Sequence, residues 1–240
     1  MESKRENTES LDKPLDKIGA VTFLDVLGWK GIWQRKDNPI NTLDSLREEI
    51  QSKATEYSSG RDNIGQTNVL SISDTIVLLT EVTDFNHPTD ALELHGQLCS
   101  EVLFSSLEQQ IPFRGATGFG EFSVNTKNNI FVGKAIDETA SWYEQADWIG
   151  VFMTPSAFYS YDSKKAKWWI SYQPPLKKGL EFSTFVTTWA EIESGEKVVT
   201  EITNLFWRMS PIIPEIITKF SHTHRFLNEL ESRKNKPKEF

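Results

Sequence analysis

The chain has 240 residues and a mass of 27.5 kDa, enough for one domain of ordinary size with additions or for two small ones. Hydrophobic residues make up 38% of it and charged residues 25%, as in a folded globular protein. The formal net charge of −8 argues against general nucleic-acid binding but still allows a local basic pocket for one phosphorylated ligand. Cys99 is the only cysteine, which excludes an intrachain disulfide and a cysteine-based zinc site.

The N-terminal part predicts no targeting or membrane segment. Its first apolar run is short and follows a mixed-charge stretch, unlike a signal peptide. No run approaches the roughly 20 apolar residues that a membrane helix needs. We therefore expect a cytoplasmic protein that has neither a membrane nor a nucleic acid as its partner.

Residues 1–17 are polar and have no hydrophobic period, which predicts a disordered or loosely held tail. The apolar run that follows predicts a central strand buried on both faces. It leads into Asp25, and Gly28 just beyond permits a tight turn and a close approach of the backbone to a ligand. A carboxylate in this position could bind a metal-phosphate group or could cap the turn.

Apolar spacing and turn residues predict the other elements. The first is a helix from Thr42 with that residue as N-cap, followed by a hairpin over 67–81 with Asp74 and Thr75 at its tip and a helix over 89–109. A small-residue strand over 112–124, with a bulge at its glycines, is followed by a polar turn over 125–129 and a helix over 133–146. The last elements are a strand over 148–153, a helix from Thr154-Pro155, a strand over 182–189 and a terminal helix over 211–231.

This order, β-α-β-β-α-β plus an α-β extension, is the split βαβ or ferredoxin-like pattern. It predicts an α+β fold with a central antiparallel sheet and flanking helices. Its first strand is central and ends beside the hairpin, so we expect Asp25 and Asp74 to meet although they are far apart in sequence. We assign 18–192 to one domain and 193–240 to a C-terminal helical extension packed on it.

Two carboxylates at adjacent strand ends could hold two divalent ions about 3.5–4 Å apart, an arrangement that activates a hydroxyl and neutralises a leaving phosphate. Mg²⁺ and Mn²⁺ both favour such oxygen ligands. Alternatively, Asp74 occupies a hairpin turn and Asp25 caps a loop. His95 and Cys99, four residues apart on the second predicted helix, are typical of ordinary helix surface or core and not of a metal site.

Four segments resemble, in their order and spacing, the catalytic domain of class III nucleotidyl cyclases over about residues 18–190. The first, F-L-D-V-L-G-W-K around Asp25, is similar to F-x-D-I-x-G-F-T in that family. The second, S-I-S-D-T-I-V-L-L around Asp74, is similar to T-I-G-D followed by a strand. F-R-G-A-T-G-F-G-E-F from Phe113 and G-K-A-I-D-E-T-A-S from Gly133 are similar to R-x-G-x-x-x-G and G-x-x-V-N-x-A-x-R.

The resemblance implies that Asp25 and Asp74 are the catalytic, metal-binding aspartates of a site with two Mn²⁺ or Mg²⁺ ions, and that the Val26 carbonyl completes it. The substrate-binding residues it implies are Phe23, Leu27, Gly28, Trp29, Lys30, Leu70, Arg114 and Ile130. Leu27 and Gly28 would offer backbone N–H groups to the triphosphate and Lys30 a cation. The implied chemistry is in-line attack of the ribose 3′-hydroxyl on the α-phosphate, which gives a 3′,5′-cyclic nucleotide and pyrophosphate.

Departures from the family pattern concern the base and the transition state. Leu70 stands where a Lys or Glu reads a purine, and Ile130 where an Asp or Thr does, so the usual polar readout is absent. Asp137 aligns with the usual transition-state Asn, and Ser141 with the usual Arg. Lys134 and Arg114 are candidates to supply the missing cation.

The R-G-A strand together with a divergent third helix resembles the pyrimidine cyclases of bacterial Pycsar anti-phage systems, as does the segment P-P-L-K-K-G-L-E-F from Pro174. The resemblance implies a homodimer that makes cyclic UMP from UTP, or cyclic CMP from CTP, usually with Mn²⁺, and whose product activates a separate effector. Two alternatives stay open: a purine cyclase with an unusual base pocket, and an inactive nucleotide-binding or dimerisation module. Asp137 and Ser141 favour the inactive module, whereas the two aspartates and Gly28 disfavour it.

Overall fold

A computed structural model describes residues 17–30, 32–34, 36–125, 128, 130–189, 197–209 and 214–234. In chain order the strands and α-helices are β1 (Lys17–Val26), α1 (Pro39–Ser58), β2 (Ile64–Ile72), β3 (Thr75–Val82), α2 (Pro88–Glu108), β4 (Phe113–Asn125), β5 (Ile130–Val132), α3 (Lys134–Tyr143), β6 (Gly150–Met153), α4 (Pro155–Ser160), β7 (Trp169–Tyr172), β8 (Thr184–Thr187), α5 (Lys197–Arg208) and α6 (Pro214–Lys234).

One mixed sheet organises the molecule, in the order β2-β3-β1-β4-β6-β8-β7, with β5 paired to β4. Strand β1 pairs antiparallel with both β3 and β4, whereas β4 and β6 run parallel. The four strands β2, β3, β1 and β4 have the ferredoxin-like arrangement, with β1 inside. The α+β fold class is therefore confirmed.

Between Lys17 and Asp25, strand β1 is apolar except for Thr22, because helices cover both of its faces. Ala20 and Leu24 belong to the larger core, which also contains buried residues of α1 and α2. Val21 and Phe23 point to the opposite face, where Ala135 and Ile136 of α3 complete a second cluster. Both faces are dry up to the end of the strand, where Asp25 follows.

Gly118 in β4 lets α3 approach the sheet closely. A Cβ atom there would lie only 2.2 Å from Thr139 Oγ1 and 3.3 Å from the Ala135 carbonyl oxygen. The β1–β4 register runs without interruption from Lys17–Phe122 to Val26–Phe113. The predicted bulge is therefore wrong: the small residues make room for a helix and do not bend the strand.

One side chain of α1 pairs with part of the outer edge of β2. Gln51 Nε2 donates to the Thr67 carbonyl at 3.1 Å, and the Val69 N–H donates to Gln51 Oε1 at 3.1 Å. The amide thereby satisfies two backbone groups that an edge strand otherwise presents to solvent or to another chain.

A buried polar chain crosses the α2 side of the sheet. His95, fully buried on α2, contacts Thr22 Oγ1 through Nδ1 at 2.7 Å and Thr80 Oγ1 through Nε2 at 2.8 Å. Thr22 continues to Thr117 at 2.6 Å, and Thr80 to Thr67 at 2.7 Å. Both ring nitrogens have partners, which a buried imidazole requires. His95 and the buried Cys99 are thus core residues, as expected.

Several predicted boundaries shift. Helix α1 begins at Pro39 and not at Thr42, because the Asn38 side chain accepts the Asn41 N–H at 3.4 Å and a proline fits the first turn. Lys17, placed in the tail, is the first residue of β1. Strands β5 and β7 were not predicted. The predicted tail over 1–16 lies outside the described residues.

The C-terminal extension contains two helices where one was predicted. Helix α5 packs against α6 through Phe206 and Phe220, whose ring centroids are 4.6 Å apart. Helix α6 lies on the sheet: Thr223 Oγ1 accepts the Ile149 N–H at 2.8 Å, and the Phe226 ring meets Trp148 edge-on at 4.7 Å. Residues 190–196, 210–213 and 235–240 lie outside the described ranges. Among the described helices, none combines the length and apolar character required to cross a membrane.

Candidate active site

Asp25 lies at the end of β1, in register with Thr75 on one side and Arg114 on the other. It is only 8% exposed, so its carboxylate is buried directly after the apolar core residues of the strand. The central position of β1 thus places a carboxylate between the ends of β3 and β4.

The charge of Asp25 is balanced by close partners. Arg114 Nε donates to Asp25 Oδ2 at 2.7 Å, and Thr75 Oγ1 donates to Oδ1 at 3.4 Å. Burial raises the Asp25 pKa above its ordinary value and the charge of Asp74 adds to the rise, whereas the charge and hydrogen bond of Arg114 and the Thr75 hydrogen bond oppose it. Arg114 therefore holds Oδ2 of Asp25 through a short bond, whereas the contact of Oδ1 with Thr75 is longer.

Asp74 lies in the tight turn between β2 and β3. Ser73 before it has a left-handed φ of 55°, and the Val26 N–H donates to the Asp74 carbonyl at 3.2 Å. This bond ties the hairpin to the end of β1. Asp25 and Asp74 therefore lie at the same end of the sheet, close enough for one charge to affect the other's pKa.

The donor set at this end suits a hard divalent cation. It offers two carboxylates and the backbone carbonyls at the end of β1, and Mg²⁺ and Mn²⁺ prefer such oxygen ligands. Within the described residues, no three acidic, histidine or cysteine side chains cluster as a closed metal site. An ion held by so few protein ligands keeps positions for water and substrate phosphates.

The loop after β1 has some of the expected features. Gly28 has a φ of 75°, which favours glycine, and Lys30 is exposed. The Leu27 N–H, expected to face the triphosphate, instead donates to the Pro112 carbonyl at 2.8 Å and fastens the loop to β4. Trp29 is half-buried and meets the exposed Trp33 edge-on at 6.5 Å.

Arg114 was considered as a phosphate-binding or transition-state cation, but its contacts are made within the fold. Besides Asp25, it donates from Nη1 to the Glu144 carbonyl at 3.1 Å, and only 15% of its side chain is exposed. Arg114 thus orients the Asp25 carboxylate and links it to the end of α3.

Phe23 and Leu70 line the sheet face on which α3 packs. Val77 is in register with both, and all three belong to one apolar cluster. Leu70 is half-buried. Because its side chain is a hydrocarbon, it offers no hydrogen bond where the family's Lys or Glu would read a purine.

Ile130 and the Lys134 ammonium lie away from Asp25. Lys134 Nζ pairs with Glu121 Oε2 at 2.8 Å, and Glu121 is in register with Ile18, seven residues before Asp25. At about 3.4 Å per residue, Glu121 is roughly 24 Å from the aspartate along the strand. Ile130 pairs with Asn125 still farther along β4 and is 52% exposed. One copy of the chain therefore leaves Ile130 and the Lys134 ammonium away from Asp25. Asp137 lies nearer, six residues before Tyr143 on α3, which is about 9 Å along the helix at 1.5 Å per residue.

Three further residues of this region were assigned no role in the site from the sequence. Thr75 directly follows Asp74, and the hairpin register could have placed it. Tyr143 stacks on Phe23 from the end of α3, which no local pattern signals. Lys177 lies in the P-P-L-K-K segment; burial lowers its pKa, as do the charges of Arg114 and Lys219. It therefore adds a cation beside Arg114.

No family model matches the chain, and no curated protein sequence matches it. Solved structures do. The catalytic core of a rhodopsin-guanylyl cyclase with converted specificity in complex with ATPαS gives a TM-score of 0.53 at 13% identity, covering 74% of this chain and 99% of that one. The guanylate cyclase domain of RhGC from Catenaria anguillulae in complex with GTP gives 0.53 at 14% identity (73% and 98%). The adenylyl cyclase CyaB from P. aeruginosa gives 0.51 at 10% identity (73% and 96%).

At these identities the similarity establishes architecture alone. It extends over about three quarters of this chain and nearly all of each cyclase domain. The chain therefore has the fold of a class III nucleotidyl cyclase catalytic domain.

Proposed function

We propose that this protein is a nucleotidyl cyclase that converts UTP, or in second place CTP, to the 3′,5′-cyclic monophosphate and pyrophosphate. The observation that carries the proposal is the meeting of Asp25 and Asp74 at one end of the sheet in a class III cyclase fold. Two isolated aspartates in unrelated turns would have no reason to converge there.

In this proposal Asp25, Asp74 and the Val26 carbonyl hold two divalent ions, Mn²⁺ or Mg²⁺. When bound, such ions activate the ribose 3′-hydroxyl and neutralise the leaving pyrophosphate. Arg114 orients Asp25 and favours its ionised form, because its guanidinium opposes the rise in pKa that burial causes. Lys30 and the turn at Gly28 bind the triphosphate, and Lys177 adds positive charge nearby.

The apolar character of the base-reading positions supports a pyrimidine substrate. Leu70 packs in a hydrocarbon cluster and Ile130 has no polar side-chain atom, so neither can hydrogen-bond to a purine edge. The similar solved structures favour the second candidate, a purine cyclase, since two of them hold GTP or ATPαS. The resemblance of the P-P-L-K-K-G-L-E-F segment and of the altered α3 to Pycsar cyclases supports the pyrimidine, and it implies phage infection as the trigger and a separate effector as the target of the product.

The separation of the two groups of expected site residues supports a homodimer. Asp25 and Asp74 lie at one end of β1 and β3, whereas Glu121, the ion-pair partner of Lys134, lies roughly 24 Å away along the strand at 3.4 Å per residue. A second copy packed head to tail would bring its Ile130, Lys134 and Asp137 beside the aspartates of the first. Ile130 and Val132 are more than half exposed, as a contact surface between copies requires.

The decisive experiment incubates the full-length protein with Mn²⁺ and UTP, CTP, ATP or GTP, singly and in competition, and identifies the products by mass spectrometry. Cyclic UMP or cyclic CMP is expected, and both Asp25→Asn and Asp74→Asn should abolish it. Asp44→Asn, at an exposed acid on α1, is the matched control and should be fully active.

The other outcomes separate the alternatives. Cyclic AMP or cyclic GMP alone would establish the purine cyclase. Nucleotide binding without any product would establish the inactive module. Full activity in both aspartate variants would overturn the metal assignment.

A further inference from the structure

Asp147, in the connection between α3 and β6, binds helix α6 through three of its atoms. Its Oδ1 pairs with Lys219 Nζ at 3.1 Å, and its Oδ2 lies 3.4 Å from His222 Nδ1. His222 Nδ1 also donates to the Asp147 carbonyl at 2.8 Å. The three side chains are only 15% to 22% exposed, so breaking the ion pair would leave a charge in a poorly solvated position.

The same connection is also fixed to the segment that precedes β8. The Asp147 N–H donates to the Pro175 carbonyl at 3.0 Å. Ala146, one residue earlier, forms an antiparallel bridge with Leu176. The connection is therefore held between this segment and α6, so that a shift of Asp147 also shifts the residues next to it.

Arg114 is anchored to this connection at one end of its guanidinium group. The Glu144 carbonyl, three residues before Asp147, accepts Arg114 Nη1 at 3.1 Å. The guanidinium then makes a single hydrogen bond to Asp25, from Nε to Oδ2 at 2.7 Å. A guanidinium that is free to rotate commonly binds a carboxylate through two parallel bonds. The bond to Glu144 therefore favours an arrangement that leaves Asp25 Oδ1 available for a cation.

We propose that Asp147 is a positioning residue, through which helix α6 sets the geometry of Arg114 on Asp25. The Lys219–Asp147 pair holds the connection between α3 and β6, and the Glu144 carbonyl in that connection fixes the plane of the guanidinium. Without the pair, the guanidinium turns towards both carboxylate oxygens and competes with a metal ion. This inference rests on the proposed function, because it concerns the geometry of a metal ligand assigned there.

The test measures Mn²⁺ binding to the whole chain by electron paramagnetic resonance of free Mn²⁺, with no nucleotide present. Lys219→Met removes the cation of the pair and keeps an unbranched side chain. Thr223 and Phe226 still dock α6 on the sheet, so the variant should fold. We expect its Mn²⁺ affinity to fall about fivefold, less than the roughly tenfold or greater loss typical of direct partners of a metal ligand.

The direction of this change separates positioning from a purely electrostatic effect. Removing a positive charge makes the local potential more negative, so through the field alone Lys219→Met would strengthen the binding of a divalent cation. Asp147→Asn should weaken Mn²⁺ binding as Lys219→Met does, whereas Lys219→Arg keeps the cation and should bind Mn²⁺ as the wild type does. Glu229→Gln is the matched control, since it breaks an ion pair with Arg233 that lies within α6 itself. Wild-type or stronger Mn²⁺ binding by Lys219→Met would overturn the inference.

A double-mutant cycle tests whether α6 acts through Arg114. Whatever the affinity of Arg114→Met itself, adding Lys219→Met to it should cause no further loss, because the guanidinium that the pair positions is already absent. A further fivefold loss in the double variant would show that the helix acts by another route, and would overturn the inference.

Product analysis on the same samples distinguishes a failure of this inference from a failure of the proposed reaction. Mn²⁺ binding by the wild type without cyclic product would overturn the proposed reaction and leave the Lys219 test valid. Cyclic product with equal Mn²⁺ affinity in wild type and Lys219→Met would overturn only the role of Asp147. A wild-type protein that binds no Mn²⁺ would overturn both.

Discussion

Asp25 depends on an arginine 89 residues away. Burial disfavours its charged form, and a charge-assisted bond of 2.7 Å to Arg114 favours it. The sequence pattern identified both residues, but it assigned Arg114 to the substrate. Their pairing follows from the register of β1 against β4, which local sequence does not encode.

His95 shows the same limit for a core residue. Its position on a helix predicted an ordinary surface or core side chain, and the structure confirms the core. It contacts Thr22 and Thr80, which in turn bond to Thr117 and Thr67; the four threonines come from four different strands, so their convergence depends on the complete sheet. Burial lowers the His95 pKa to about 3, and the ring is neutral in the folded protein.

We predict that this histidine makes folding stability depend on pH. The unfolded chain protonates His95 below about pH 6.5, whereas the folded protein does not until about pH 3. Its contribution is thus complete above pH 6.5 and is lost as the pH falls, by up to about 1.4 kcal/mol per pH unit. Urea unfolding of wild type and His95→Gln between pH 7 and pH 4 measures this effect.

The relevant comparison is how steeply the free energy of unfolding changes with pH in the two proteins. His95→Gln also lowers this free energy at every pH, because it disturbs the threonine contacts. The variant should lose less stability per pH unit than wild type. Parallel slopes would show that the folded protein protonates His95 as readily as the unfolded chain.

Helix α3 and strand β4 show how far element prediction reaches. The small-residue strand was recognised, and its glycines were interpreted as a bulge. Their actual role depends on a helix that follows in sequence and folds back over them, which a strand pattern read alone does not reveal. Gly118 lies under Thr139, and Gly120 lies under Ala135.

Gly118→Ala should therefore be strongly destabilising. Its Cβ would lie 2.2 Å from Thr139 Oγ1 and 3.3 Å from the Ala135 carbonyl, so α3 must shift. Overpacking of this kind costs about 1–3 kcal/mol, measurable by urea unfolding. Gly65→Ala in β2 is the control, since its new Cβ would have no neighbour nearer than 3.6 Å.

A second substitution tests the cause. Thr139→Ala removes the clashing hydroxyl, so it should recover part of the loss when combined with Gly118→Ala. Equal stability of the Gly118→Ala and Gly65→Ala variants would contradict the close approach of α3 to the sheet.

The elements that hydrophobic periodicity did not predict are short or lack a regular apolar spacing. Strand β5 has three residues and β7 has four, and pairing with β4 and β8 defines them. Helix α1 begins early because Asn38 caps it and Pro39 fits its first turn, whereas the apolar spacing begins only at Leu43. Capping chemistry, and not periodicity, sets that boundary.

At the level of the whole molecule, the order of elements was sufficient to predict the ferredoxin-like half of the sheet. The order β6-β8-β7 beyond β4 was not predicted, because those strands are short and β7 was not recognised. The order also predicted that Asp25 and Asp74 converge. It could not predict that Ile130 and the Lys134 ammonium lie far from them, since that separation depends on the length of β4 and on the β4–β5 pairing.

If two copies complete each site, activity must depend on protein concentration. We expect the specific activity to fall as the protein is diluted below the dissociation constant of the dimer, in parallel with the dimer fraction measured by mass photometry. Constant specific activity from a monomer at every concentration would contradict a shared site and would require all substrate contacts within one chain.

The Gln51 amide on the outer edge of β2 has a consequence for the protein in storage. Growth of a fibril by strand addition at this edge would have to break two bonds within the chain, each worth about 1 kcal/mol. The side chain thus raises the barrier to the first intermolecular pairing without altering the core. The outer edge of the sheet is thus protected against strand addition by a single glutamine remote from the candidate site.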